Sequence, residues 1–489
     1  MSTFEDEVVA SNSDIDDVNP SPEQGDSERE RLIFQSIHRR NLNHIATDEI
    51  QSKRYSVPEV GSGRKPFRTI ARELMTEHMR PRSRDEWIGT FIPCYTWLRT
   101  YDWRAILLTD ILAGIAVGVM AVPQSLSYAK LADLPVEYGL YSALFPIWAY
   151  SVFGSSRQLA VGPVALVSLM LGTGLNNQMA AMGISKDDPN YYDARTTLAI
   201  QTSLLVGILN IVMGLVRLGF VTIFMSHAVI SGFISGASVI IGMSQLKGIL
   251  GVQAEGDNVQ KLLASIFASI GSFNYKTFLM GMSSLATLIL FKQASKRYPK
   301  QKWLRAIGPI FVTAVTILVT WGFNLSANGI PVVKYIPAGF PAFTIGRWTP
   351  IKDFGAIITT ALSITIIGFM ESIAIAKSLA AKHKYDLDSS TELIGLGVAN
   401  FVGAMFQAYP VTGSFSRSAV NDQSGARSGV SGMVTALLVG MVLLFLTDVF
   451  EYMVSWFSCW FQCGFVSDLV RLRLPAFVSS LGHRYSWGT

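Results

Sequence analysis

The chain has 489 residues, half of them hydrophobic and only 15% charged, with a formal net charge of +5. A soluble protein carries roughly a quarter charged residues, so this deficit and a mean hydropathy of +0.35 point to a membrane protein and argue against a nucleic-acid binder. Cys94, Cys459 and Cys463 form neither a disulfide framework nor a spaced metal set.

Residues 1–90 read as a disordered, cytosolic tail, acidic to residue 30 and increasingly basic after it, with room for a short helix near 67–80 and no signal peptide. The aromatic, basic segment 91–103 suits the membrane interface before the first span. From 106 onward a span needs about 20 apolar residues. That measure predicts spans at 106–130, 137–153, 196–216, 219–249, 275–293, 304–324, 354–379, 391–406 and 428–448. Half-helices at 161–174 and 412–423 bring the total to about 11–12 spans when a short, poor one at 451–470 is included. The stretch 258–270 is too short to cross and reads as an interfacial helix.

Basic residues set the orientation. The loop 292–305, the turn holding Arg217 and the loop 381–390 belong on the cytosolic side. The loops 186–194 and 325–352 belong on the other, where Asn324-Leu325-Ser326 makes a glycosylation sequon.

Two apolar segments carry one interrupted pattern. PQSLSYAK (123–130) and MESIAIAK (370–377) superimpose without gaps, setting Gln124 on Glu371 and Ser125 on Ser372. Further on, LAVGPVALVSLM (159–170) matches YPVTGSFSRSAV (409–420), with Gly162 on Gly413. Seven spans separate the two starts, so the repeats are inverted. A polar-tipped helix followed by a Gly/Pro-broken half-helix, present twice, marks the binding site of a repeat-built transporter.

Within these segments the half-helix 412–423 is too polar to face lipid, and Arg417 there costs at least about 2.5 kcal/mol in hydrocarbon. Two half-helix N-termini meeting near the midplane would bind an anion through backbone N–H groups, sharpened by Ser416 and Arg417. The competing reading is a small-residue packing face with Arg417 reaching an edge. Pro163 is expected in the first helical turn of the earlier half-helix. Glu371, inside an apolar span, is the candidate proton carrier, against a purely structural pairing with Lys377 or Arg417. Gln124 is an uncharged donor to the anion or else a packing hydrogen bond, and Tyr128, one turn on, lines the same pocket or simply packs. His227 reads as a satisfied core histidine or a relay member, while Lys130 and Lys377 end their helices near headgroups.

The segments GSSRQLAVGPVALVSLM, SHAVISGFISGASVIIGMSQLKGILG and AYPVTGSFSRSAVNDQSGA resemble the sulfate permease family, also called the anion exchanger family 26. MESIAIAKSLA followed by YDLDSSTELIGLGVANFVGAMF is most similar to its plant-type, proton-coupled sulfate transporters. The resemblance covers about 95–453 and implies an all-α multi-pass membrane protein of fourteen spans in two inverted seven-span repeats. A core domain (spans 1–4 and 8–11) would move like an elevator against a gate (5–7 and 12–14), and relatives form dimers. By position the resemblance implies a substrate pocket of Gln124, Tyr128, Val164, Ala165, Phe415, Ser416 and Arg417, with Glu371 as the proton-coupling acid. It implies no enzyme chemistry, cofactor or metal. Partners would be sulfate or a related oxyanion, protons, the lipid bilayer and a second copy. The setting is a plasma or vacuolar membrane with the N-terminus cytosolic. The transmembrane domain is expected at 91–453, containing the core and half of the gate. From Val454 the sequence leaves the family pattern, so 454–489 reads as an aberrant tail without the family's STAS domain. The function implied is sulfate:proton symport. Its rivals are exchange of bicarbonate, chloride, molybdate or oxalate, and a non-transporting subunit that modulates a longer partner.

Overall fold

The computed structural model describes residues 93–99, 101–219, 259–269, 273–297, 303–323, 335–348 and 354–451, with a few isolated positions between. The expected helix at 67–80, most of the expected span 219–249, His227, the Asn324 sequon, Cys459, Cys463 and the tail lie outside the described residues.

In chain order the elements are α1 (Pro93–Arg99), α2 (Trp103–Leu131), α3 (Glu137–Ser142), α4 (Phe145–Phe153), β1 (Val161–Gly162), α5 (Ala165–Ala181), α6 (Tyr191–Leu215), α7 (Val259–Ala268), α8 (Tyr275–Arg297), α9 (Trp303–Gly322), α10 (Phe354–Lys382), α11 (Ser389–Met405), β2 (Thr412–Gly413), α12 (Phe415–Gln423) and α13 (Val430–Met441). A π turn (Val442–Leu446) continues α13 into α14 (Thr447–Glu451). Among the described residues, five helices are long and apolar enough to cross a membrane: Ile106–Leu131, Tyr191–Leu215, Tyr275–Ser295, Ile357–Lys382 and Val430–Glu451. The all-helical multi-pass expectation holds, and the only strands among the described residues have two residues each.

One expected span is broken. The run 137–153 divides into α3 and α4, with Pro146 in the first turn of α4. Proline has no N–H to offer the carbonyl four residues back, so the Ser142 carbonyl loses its helical donor. The Ser142 hydroxyl meanwhile bonds back to the Tyr138 carbonyl at 2.8 Å.

The two repeats interlock. In the first, α2, the α3–α4 pair, β1–α5 and α6 run in the same order as α10, α11, β2–α12 and α13 in the second. Packing then comes in swapped pairs. Helix α2 packs on α12 and α13 of the other repeat, while α10 packs on α5 and α6. Helix α4 meets α13 as α11 meets α6, and α4 and α11 meet each other. The helices that open the repeats even end alike, on a left-handed non-glycine residue, Asp133 (φ 54°) and Lys384 (φ 54°). Helices α8 and α9 stand apart from this group, packing mainly on each other, with α9 also touching α2.

The segment 335–348 straps the repeats together. Arg347 pairs with Asp193 at 3.0 Å and receives Gln201 Nε2 on its carbonyl at 3.1 Å, both on α6. Toward the second repeat, Thr344 N–H donates to the Met405 carbonyl at 2.9 Å and Trp348 Nε1 to the Ala404 carbonyl at 3.4 Å. Gly339 N–H reaches the Leu443 carbonyl in the π turn at 3.0 Å.

Close backbone approach makes the α6–α11 contact possible. A β-carbon added to Gly397 would lie 2.7 Å from the Ile211 nitrogen and 2.9 Å from the Gly207 carbonyl oxygen. Backbone cannot give way as a flexible side chain does, and overpacking costs about 1–3 kcal/mol. Gly397→Val is therefore expected to lower the melting temperature of the detergent-solubilised protein by several degrees. Gly322→Ala, where a β-carbon meets nothing within 4 Å, leaves it unchanged or slightly raised. Equal melting of the two variants, followed by tryptophan fluorescence, contradicts the close crossing.

Candidate functional site

The centre of the core is a two-residue ladder. Strand β1 pairs antiparallel with β2, Val161 opposite Gly413 and Gly162 opposite Thr412. Exchanging each residue for its repeat equivalent turns one pair into the other, so the pseudo-two-fold axis of the fold runs through this ladder. Helices α5 and α12 leave it from opposite strands, each after an extended capping residue, Val164 and Ser414. Intrahelical bonding starts only at Ser168 N–H to Val164 and Ser418 N–H to Ser414. The first N–H groups of both helices therefore have no helical acceptor, and both positive dipole ends face the same centre.

With Gly162 set on Gly413, the match between the repeats slips by one residue at this point. Two residues, Pro163 and Val164, connect β1 to α5, whereas Ser414 alone connects β2 to α12. Pro163 does not occupy the first helical turn, as its sequence position suggested. It precedes the helix, and its carbonyl accepts from Arg417 Nη2 at 2.8 Å. Gly162 explains why the guanidinium fits. Its φ of +145° suits glycine, and an added β-carbon would stand 3.1 Å from Arg417 Nη2.

Side chains from both repeats finish the junction. Ser372 of α10 sits between the Thr412 hydroxyl (2.6 Å) and the Gly413 N–H (2.9 Å), which donates to it. Asn400 of α11 brackets Val411, accepting from its N–H at 2.8 Å and donating to its carbonyl at 3.0 Å. Ala160 N–H donates to the Ser418 hydroxyl at 2.9 Å, and its carbonyl accepts from Ser414 N–H at 2.9 Å. In hydrocarbon each unsatisfied backbone group costs several kcal/mol, and these contacts remove that cost around the break.

Every residue of the expected pocket, and Glu371, is described; His227 is not. Val164 and Ala165 are buried at the start of α5. Phe415 and Ser416 are half-buried in the first turn of α12, where the Ser414 and Ser416 hydroxyls lie 3.3 Å apart. Arg417 is fully buried, and its Nε and Nη1 have no hydrogen-bond partner. Tyr128, Tyr409 and Glu371 all stand close enough to act on its charge. Glu371 Oε2 is buried without a partner, as are both amide atoms of Gln124. Tyr128 is buried one turn beyond Gln124 on α2. Lys377, six residues further along α10, is exposed. Lys130 donates to the Val332 carbonyl at 3.4 Å.

Sequence reading missed three buried charges. Glu392 accepts from the Tyr150 hydroxyl at 2.5 Å and from Ser155 and Ser156 N–H at 3.2 Å each, holding the loop that leads into β1. Asp110 accepts from the Tyr101 and Ser428 hydroxyls and from Arg427 N–H. Arg195 donates to the Ala132 and Gly172 carbonyls and to Asn176 and Tyr191. The reasoning that singled out Glu371, an ionisable group inside an apolar span, applies equally to Asp110 and Glu392. What separates Glu371 is that its neighbours leave it unsatisfied.

The arrangement is a buried junction with unmet donors, cationic at Arg417 and flanked by one carboxylate.

Comparison with known proteins bears on the family and the fold. The description "Sulfate permease family" matches residues 107–457. The Arabidopsis thaliana protein named sulfate transporter 4.1, chloroplastic, is 44% identical over 386 residues, 79% of this chain and 54% of that protein. High affinity sulfate transporter 2 of Stylosanthes hamata is 35% identical over 364 residues, 74% of this chain and 54% of that one. The chain spans about half the length of these relatives, both named as transporters. In fold it is similar to the inward-facing structure of murine solute carrier 26 family member A9, with a TM-score of 0.71 and 23% identity, over 83% of this chain and 69% of that one.

The positive φ at Gly162 yields a specific expectation. Gly162→Ala imposes a strained backbone, costing about 1–3 kcal/mol, and crowds Arg417. Gly413, without a positive φ, meets mainly the flexible Leu159 side chain. Thermal unfolding should show Gly162→Ala melting below Gly413→Ala. The reverse order would remove the ladder geometry as the controlling feature.

Proposed function

The chain belongs to the sulfate permease family, and on that premise we propose that it carries sulfate or a related oxyanion across a membrane together with a proton. The observation that carries this reading is Arg417, fully buried at the meeting point of two helix N-termini, with two of its three nitrogens left without a partner. A buried guanidinium is costly unless its donors are met, and an anion meets them. Gln124, Tyr128, Val164, Ala165, Phe415, Ser416 and Arg417 are the proposed binding residues. The names of the plant relatives favour sulfate.

Glu371 is the proposed proton carrier. In the empty site its carboxylate offsets the charge of Arg417. An arriving dianion places more negative charge beside it in a medium where charges are weakly screened. A proton taken up by Glu371 removes that repulsion, so anion and proton bind together. We place the protein in a plasma or vacuolar membrane, N-terminus cytosolic, as a homodimer, following the family resemblance.

Arg417→Ala is expected to weaken binding of radiolabelled sulfate to the purified chain by about a hundredfold or more, the size of a lost buried charged contact. Wild-type binding in that variant removes the site assignment.

A second expectation concerns pH. Sulfate affinity of the wild type should rise as pH falls, because the protonated Glu371 accompanies the anion. Glu371→Gln mimics the protonated acid, so its affinity should be high and flat with pH, while proton-driven uptake into cells expressing the protein is lost. A Gln variant that keeps the wild-type slope moves the proton to another group.

A further inference from the structure

We propose that the hydroxyl of Tyr409 is a direct, neutral donor to the bound anion and selects oxyanions over halides, an inference that rests on the binding site proposed above. Tyr409 lies between α11 and β2, fully buried, at the head of the YPVTGSFSRSAV segment, and the sequence reading gave it no role. Its backbone N–H donates to the Ser142 hydroxyl at 2.9 Å, which fixes it to the end of α3. Its ring oxygen accepts from the Ser168 hydroxyl at 3.3 Å, in the first turn of α5. The phenol therefore sits against the very helix end that the proposed anion faces, within electrostatic reach of both Arg417 and Tyr128.

The argument turns on the proton. Because Ser168 donates to Tyr409, the phenol still has its own O–H to place, and among the described residues no acceptor takes it. A buried donor left unmet is unfavourable. Its surroundings make matters worse, since a nearby guanidinium repels the positive end of the O–H dipole. The same region holds Arg417 Nε and Nη1 and Gln124 Nε2, all without acceptors. Gln124 shares a helix face with Tyr128, one turn away, and Tyr128 in turn lies beside Arg417. Two acceptors, Glu371 Oε2 and Gln124 Oε1, are also unmet, but these four donors outnumber them, and an anion supplies the acceptors that are lacking.

The spread of the donors favours one class of anion. They come from α2, α12 and the segment before β2, so they reach the centre from separate directions. A tetrahedral oxyanion offers four oxygens to donors so arranged, whereas a halide offers one small sphere. Loss of one peripheral donor therefore costs an oxyanion more than a halide.

The test is sulfate and chloride binding to the purified chain carrying Tyr409→Phe, which keeps the ring and removes the hydroxyl. Sulfate affinity should fall about tenfold, in line with one lost hydrogen bond to a charged acceptor, with chloride affinity changed less than twofold and the anion-free melting temperature within about two degrees of wild type. Replacing Tyr409 by 3-fluorotyrosine, whose hydroxyl is a stronger donor, should tighten sulfate binding and serves if the Phe variant does not fold. Unchanged sulfate affinity in either variant overturns the proposal, as does an equal loss for chloride. If Arg417→Ala abolishes binding while both Tyr409 variants bind as wild type, only this inference fails. If Arg417→Ala also binds normally, the site itself is wrong.

Discussion

Hydrocarbon cannot hydrogen-bond a peptide group, and the core of this protein is organised around that constraint. Two helices begin inside the core, directly after the extended segments 161–164 and 412–414, and each start exposes backbone that must be met from within the chain. The solution is mutual. Each broken strand pairs with the other, and serines and an asparagine from neighbouring helices meet what the ladder leaves. Among the described side chains near this junction, Arg417 Nε and Nη1, the Gln124 amide and Glu371 Oε2 stay without a partner.

The interlocking of the repeats follows from the same junction. Because the ladder lies on the pseudo-two-fold axis, each polar-tipped helix is driven against the half-helix of the opposite repeat: α2 against α12, and α10 against α5. Neither half can assemble its share of the site alone. Residues that are 250 positions apart in sequence become neighbours through a contact of four residues.

Much of this could be read from the residues. Five of the expected spans, those near 106–130, 196–216, 275–293, 354–379 and 428–448, followed from length and hydropathy, and the repeats from Gln124 on Glu371 and Gly162 on Gly413. Arg417 and Glu371 stood out because ionisable groups in apolar helices need a reason. Other features depend on pairing that a linear chain does not display. Nothing local in VG or TG announces a strand, since two residues carry no periodicity, and each is extended only because the other lies opposite. The break between α3 and α4 was legible in Pro146 but was outweighed by the apolar run around it. Asp110 and Glu392 carried the same signal as Glu371, yet sequence cannot tell a carboxylate met by four donors from one left unmet. Tyr409 was invisible for a related reason, since a tyrosine between two spans looks like packing until its hydrogen-bond partners are counted.

The symmetry of the ladder also bears on descent. A strand that pairs with its image across a two-fold axis needs no second sequence to pair with, so two identical, oppositely inserted copies of an ancestral half could have built the same junction. Such a founder would have been symmetric in charge as well. In the present chain the equivalent positions have parted company: glutamine faces glutamate at 124 and 371, and the counterpart of Arg417 in the other half is apolar. Duplication followed by that divergence turns a junction with two identical sides into one whose two sides differ in charge.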